Sequence, residues 1–224
     1  MTAHMKRQPE PEVMDDQAEA EAYALADFVE VNQAFVDRLL EIAGPIPKAD
    51  AVDLGAGPAD IPIRVVRARP GWRVTAVDAS PAMLQWAKKN IEAAGLTGSI
   101  SRVFGDAKNT HLEDAAFDIV FSNSILHHIT DTDALWREVK RIARPGAIVF
   151  MRDLARPADT DAARALVKTH AGGESDLLRK EYYRSLLSAY TPEEVVEQLA
   201  RNNLGSLKVV MATDRHLDIY GRLR

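Results

Sequence analysis

Cysteine is absent from the 224 residues. Disulfides, thiolate zinc sites, Cys-x-x-Cys redox chemistry and a cysteine nucleophile are therefore excluded together. There is no excess of positive charge either: 28 Lys and Arg stand against 33 Asp and Glu, a net charge of −5. That balance disfavours a nucleic-acid partner, whose binding face normally shows as net basicity. No apolar run approaches the roughly 18 residues of a membrane span, and the polar, proline-bearing stretch from Met1 to Glu12 is followed by no apolar signal core. The expectation is a cytoplasmic protein without a membrane segment. No period of 20 to 50 residues recurs with matching types, which sets repeat architectures aside. What is present is a 46% hydrophobic, 27% charged chain, enough for one substantial core with appendages.

Residues 1–14 read as a loose, flexible tail, because charges, Pro9 and Pro11 outnumber anything that could bury a face. Leu25, Phe28, Val29, Asn32, Phe35, Val36, Leu39, Leu40 and Ala43 then recur at helical spacing, predicting an amphipathic helix over about 21–43 that Gly44-Pro45 stops. From Ala49 the pattern changes. Short apolar runs at 51–54, 74–77, 100–104, 117–121 and 147–151 read as strands, separated by helices at about 60–69, 81–94 and 131–143. Ser80-Pro81 supplies an N-cap and a proline at the first helical position. Strands alternating with helices predict an α/β fold, a doubly wound and mostly parallel sheet covered on both faces. The segment 154–206 carries no strand signal. It predicts two helices separated by Gly172-Gly173 and a third opened by the capping box Thr191-Pro192-Glu193-Glu194. Residues 207–211 and 215–221 close the chain as a half-exposed antiparallel edge pair, with Leu217 and Ile219 alternating against His216, Asp218 and Tyr220.

The strongest chemical signal is Val52-Asp53-Leu54-Gly55-Ala56-Gly57-Pro58-Ala59-Asp60, a strand entering a glycine turn and then a helix. Glycines there let the backbone approach a ligand with no Cβ in the way. Asp60 stands where a dinucleotide fingerprint has its last glycine, and Asp53 would repel a pyrophosphate and welcome a cation. Asp78 ends the next strand, where a carboxylate can accept both hydroxyls of a ribose. Gly105-Asp106-Ala107 follows the third strand, where an acceptor and a backbone N–H could read an adenine edge. Asn123 leaves the fourth, at the switch point where such sheets open a crevice.

As a set, these motifs resemble the class I S-adenosylmethionine-dependent methyltransferases, over roughly residues 49–153. The resemblance implies S-adenosyl-L-methionine as cofactor and S-adenosyl-L-homocysteine as product. It places the methionine part against Gly55, Ala56 and Gly57, the ribose at Asp78 with Ala79 and Met83 beside it, and the adenine at Asp106 and Ala107. Asp53 and Asn123 match positions that orient the amino-acid end and flank the methyl. Leu126-His127-His128 and Arg144-Pro145-Gly146 look like the quinone-biosynthesis branch, implying a small-molecule acceptor and a seven-stranded, Rossmann-like sheet with an antiparallel C-terminal edge strand. Two departures stand out. Ala59 occupies the third glycine position, which a negative φ would accommodate, and Asn123-Ser124-Ile125 is not the Asn-Pro-Pro-aromatic run of amino-directed DNA methylases.

Transfer from a sulfonium is an in-line displacement that positioning can accelerate strongly. A base is needed only when the acceptor must lose a proton, and His127 and His128 stand at the mouth of the site for that role. No metal is expected: adjacent histidines on irregular backbone should diverge, and no third ligand has motif spacing. Tyr23, Arg152, Tyr182 and Tyr183 are the candidate acceptor contacts. The domain reading is a single methyltransferase domain over 15–224. It comprises a helical lid at 15–45, a cofactor-binding core at 49–153, a helical insertion at 154–206 that joins the lid, and C-terminal strands at 207–224. Competing readings are methylation of RNA or protein, an NAD-dependent oxidoreductase, and a non-catalytic S-adenosylmethionine-binding protein. A monomer or a homodimer fits equally.

Overall fold

Seven strands form one sheet in the computed structural model, which describes residues 5–12, 21 and 28–223. They are β1 (Ala49–Leu54), β2 (Trp72–Asp78), β3 (Ile100–Phe104), β4 (Phe117–Asn123), β5 (Ala143–Leu154), β6 (Lys208–Met211) and β7 (His216–Arg222). Their order is β3-β2-β1-β4-β5-β7-β6; β1 to β5 are parallel, and β7 is antiparallel to both neighbours. The winding reverses between β1 and β4, which opens a crevice at their C-terminal ends. The helices are α1 (Val29–Ala43), α2 (Asp60–Ala68), α3 (Pro81–Ala93), α4 (Thr132–Ile142), α5 (Thr160–His170), α6 (Asp176–Ser188) and α7 (Pro192–Arg201).

Strand residues alternate between two apolar layers, which is why the central strands read as continuous hydrophobic runs. Val52, Val120 and Val149 pack under α4 and α7 with Trp136, Val139, Val195 and Leu199. Ala51, Phe121 and Phe150 pack under α1, α2 and α3 with Phe35, Leu39, Val66 and Ala87. Phe35 stacks on Phe150 at 4.6 Å between centroids. Over its described length the first helix, expected as part of a lid, is thus a layer of the core, since an open sheet must have both faces covered. Its N-terminal end reaches the crevice: Phe28, just before the helix, and Val31 line the cavity there, and Val29 and Asn32 line a small cleft beside it.

Two other elements depart from expectation. Residues 5–12 are laid along the insertion instead of hanging loose: Met5 N donates to Ala158 O at 3.1 Å and Gln8 N to Leu187 O at 3.0 Å. Arg7 explains the docking, because its guanidinium donates to the carbonyls of Ser188, His127 and Ile129 and lies 4.0 Å over the Tyr190 ring. The edge position belongs to β6, while β7 runs inside the sheet. Its polar members His216 and Asp218 are buried, because Arg152 stands opposite Asp218 in the β5–β7 register.

Candidate active site

The chain leaves β1 through Gly55 (φ +75°) and Gly57 (φ +53°). Gly55 and Ala56 donate their amides to Val77 O, each at 2.9 Å, tying the turn to β2. A Cβ at Gly55 would lie 2.0 Å from Ile125 Cγ2, so both conformation and space demand glycine. Ala59 does not take the expected negative φ. It sits at +66°, a left-handed conformation costing roughly 1–2 kcal/mol, stabilised by its amide donating to Ala56 O and by full burial of its methyl group.

Two carboxylates flank this turn. Asp78 Oδ2 accepts from Gly57 N at 2.7 Å and Oδ1 from Ser80 N at 2.8 Å, which leaves each oxygen a further lone pair. Burial raises its pKa despite these donors. Asp53 is more deeply set, and its Oδ1 is buried with no hydrogen-bond partner among the described residues. Burial, reinforced by the charge of Asp78, pushes its pKa well up. Asp53, Ala56, Gly57 and Asn123 line a small cleft.

Beside the cleft lies a cavity of 340 Å³ bounded by the glycine turn, Asp78, Ala79, Met83, Asp106, Ala107 and Asn123. Its wall after β3 is held from below. Buried Glu138 accepts from Thr110 N and Oγ1 at 2.8 and 2.5 Å, and from Arg141. Burial would raise Glu138, but these donors hold it at about 2. Lys108 Nζ bridges Asp106 Oδ2 at 3.0 Å to Glu12 Oε2 at 2.6 Å, adding residues 5–12 to the wall.

The far end of the same cavity contains His127 and His128, in the turn after β4. His127 is buried, and its Nδ1 lies 2.5 Å from Asp153 Oδ1. Asp153, near the end of β5, also accepts from the amides of Leu126 and Leu154, at 2.5 and 2.6 Å. Burial opposes charge on both partners; their attraction outweighs it, raising His127 and lowering Asp153. With Nδ1 bound to the carboxylate, Nε2 is the free ring nitrogen, and it lies 3.4 Å from Glu10 Oε1. The same Glu10 oxygen is 3.4 Å from Nδ1 of His128, a ring that burial and His127 push down to about 4 and hence keep neutral at pH 7. Burial raises Glu10. The expected divergence of the two histidines does not occur: a tight turn with His128 N donating to Ile125 O brings their rings to 4.2 Å.

Of the candidate acceptor contacts, Tyr182 lines the cavity, with its hydroxyl buried beside Arg215. Tyr183, its neighbour on α6, is not among the cavity-lining residues, and both tyrosines pack against the apolar cluster that includes Leu186 and Leu187. Arg152 is committed elsewhere, forking onto Asp218 at 2.6 and 2.8 Å beneath the sheet surface. Tyr23 lies outside the described residues. Sequence reasoning missed Asp153 and Glu10. Asp153 ends a strand as Asp53 and Asp78 do and was legible on that ground; Glu10 had no local signal.

The family profile described as "Methyltransferase domain" matches residues 52–151, the segment from β1 to β5. A malonyl-[acyl-carrier protein] O-methyltransferase of Serratia marcescens is 30% identical over 189 residues, covering 80% of this chain and 70% of that protein. The chain belongs to the class I S-adenosylmethionine-dependent methyltransferases. The ubiquinone/menaquinone biosynthesis C-methyltransferase UbiE of Shewanella sp. (strain ANA-3) is 25% identical to this methyltransferase over 119 residues, 53% of the chain and 47% of that protein. The match therefore spans about half the length of either. In fold, the methyltransferase resembles a SAM dependent methyltransferase from Aquifex aeolicus, with a TM-score of 0.70 and 15% identity over 94% of this chain and 100% of that one. Among its described residues, no helix is long and apolar enough to cross a membrane.

Proposed function

We propose that this methyltransferase acts on an O–H or N–H group of a small, non-anionic molecule, with His127 receiving the acceptor's proton. The observation that carries the reading is one cavity joining the glycine turn to the Asp153–His127 pair. When bound, S-adenosylmethionine supplies a methyl group on a sulfonium, open to in-line displacement. The residues present fit it. Asp53 Oδ1, buried and unpartnered, suits an ammonium group, and Gly55, Ala56 and Gly57 allow close backbone approach. Asp78, flanked by Ala79 and Met83, keeps lone pairs for two ribose hydroxyls, and Asp106 with Ala107 forms the wall for the adenine. Asn123 lines both the cavity and the cleft beside it.

At the acceptor end, Asp153 fixes the His127 tautomer so that Nε2 offers its lone pair to the proton. Tyr182, beside Arg215 in the cavity lining, contributes its hydroxyl as an acceptor contact. Glu10, Glu174 and Glu181 surround this end and disfavour an anion, against the single arginine Arg215. The insertion and residues 5–12 exclude water from the reacting groups.

A pooled-metabolite screen with methyl-labelled cofactor, followed by mass identification of the labelled product, tests the reading. His127→Ala should lose most turnover on that product's precursor and keep its affinity for S-adenosylhomocysteine, whereas Asp78→Ala should bind S-adenosylhomocysteine at least about tenfold more weakly. Cofactor binding without labelling of any acceptor would reduce the chain to a binding protein.

A further inference from the structure

The acceptor end carries a donor set that neither proton transfer nor packing requires. We propose that Glu10, His127 and His128 form a binding site for a divalent transition cation of the zinc class, its open coordination position facing the acceptor cavity. Glu10 Oε1 lies 3.4 Å from Nε2 of His127 and 3.4 Å from Nδ1 of His128, and the donor atoms of the three residues fall within 4.8 Å of one another. Donors held about 2.0–2.1 Å from a tetrahedral ion are roughly 3.3–3.4 Å apart, so the two measured edges already have the size a bound ion would impose.

The surroundings support the same conclusion. His127 gives its other nitrogen to Asp153, the outer carboxylate that orients metal-bound imidazoles. The Glu10 side chain is 8% exposed, and among the described residues its ionic contacts are with the two imidazoles; Ser185 Oγ adds a neutral hydrogen bond at 3.0 Å. Two imidazoles and one carboxylate, with no thiolate, select zinc, cobalt or iron over magnesium or calcium. His128 Nδ1 lies 3.1 Å from Pro11 O, so binding exchanges that contact for the ion. Three protein donors leave a position open toward the cavity that Tyr182 and Ile129 also line. An ion seated there takes the Nε2 lone pair of His127, so cation and acceptor proton compete for one atom. The site rests on this chain's own donors and not on the identity of the acceptor.

The test uses the full chain, freed of metal by dialysis against chelator and titrated with Co(II), with visible absorption as the readout and Zn(II) as the displacing ion. A saturating band at one equivalent that zinc abolishes and excess magnesium leaves intact is the expected result. Glu10→Ala and His128→Ala should each weaken Co(II) binding by at least about tenfold, and Asp153→Asn by roughly 10–100-fold. Affinity for S-adenosylhomocysteine confirms that each variant is folded; Glu10 lies outside the sheet, so its variant decides if the others fail that check. Absence of a saturating band in the wild type, or unchanged Co(II) affinity in folded Glu10→Ala, overturns the proposal. Normal turnover by His127→Ala would instead remove the proton-acceptor role and leave the titration unaffected.

Discussion

Replacing Asp53 by Asn should make the ligand-free protein more stable and the cofactor complex weaker. The side chain is 2% exposed, its Oδ1 has no partner among the described residues, and the neighbouring Asp78 adds like charge. Leaving a buried group unsatisfied costs about 1–3 kcal/mol and more when it is charged; Asn keeps an oxygen at nearly constant volume and relieves the charged part, a cost of that same order. For a chain of this length each kcal/mol moves the melting temperature by roughly 2–4 °C, so the ligand-free variant should melt about 2–12 °C higher. The pH dependence has a fixed sign. A carboxyl whose folded pKa is raised binds more protons in the folded state, so wild-type stability falls as pH rises from the unfolded carboxyl value through the folded one. The variant should lack that decline. Loss of a charged hydrogen bond to the cofactor's ammonium, roughly 1.5–3 kcal/mol, should weaken S-adenosylhomocysteine by about 10–150-fold. Scanning calorimetry with and without ligand, paired with titration calorimetry, measures both sides. A variant that melts no higher than wild type and binds with unchanged Kd would refute the assignment of Asp53 as a held-open cation acceptor.

Gly55→Ala should lower both melting temperature and cofactor affinity, since its Cβ meets Ile125 and its φ of +75° is strained for any side chain; unchanged S-adenosylhomocysteine binding would make the loop a mere turn. Arg152→Ala leaves buried Asp218 without its fork and with Arg38 Nε, 3.7 Å away, as its remaining ion partner, so the cost in urea unfolding should stay below the roughly 3–5 kcal/mol of a fully uncompensated buried charge, with cofactor affinity retained because Arg152 lies outside the cavity. Glu138, held at about 2 in the fold, contributes stability that is present above its unfolded value and lost as pH falls toward 2. Glu138→Gln should flatten that acid limb in a pH series of unfolding curves, and an unaltered limb would place the acid sensitivity elsewhere.

The legible parts of this protein are those whose cause is local. The glycine turn, the strand-end carboxylates Asp53 and Asp78, and the Thr191 capping box each announce themselves within a few residues, because backbone conformation and sheet topology fix what must stand there. Glu10 could not be read this way. It reaches histidines more than a hundred positions along the chain through the docking of Arg7, a long-range contact with no periodic signature. Arg152 and Asp218 were read separately, as a pocket cation and an exposed strand residue; only the antiparallel register of β5 and β7 pairs them. Tyr182 and Tyr183 looked equivalent in composition, but adjacent helical residues point about 100° apart, and one of them faces the cavity.

The position of β7 bears on how the molecule assembles. It follows β6 in the chain yet lies between β6 and β5, so β6 has no strand to join until β7 arrives. During synthesis from the N-terminus, the first five strands and the cofactor crevice can be in place while Arg152 still lacks its carboxylate. The hydrogen-bonding edge of β5 stays open over the same interval, a template for pairing with another nascent chain. Insertion of β7 then closes the edge, neutralises Arg152 and buries Leu217 and Ile219 in one event. Completion of the sheet is thus the step most exposed to misassembly, and the residues that govern yield in the cell are to be sought in β7 more than in the catalytic half.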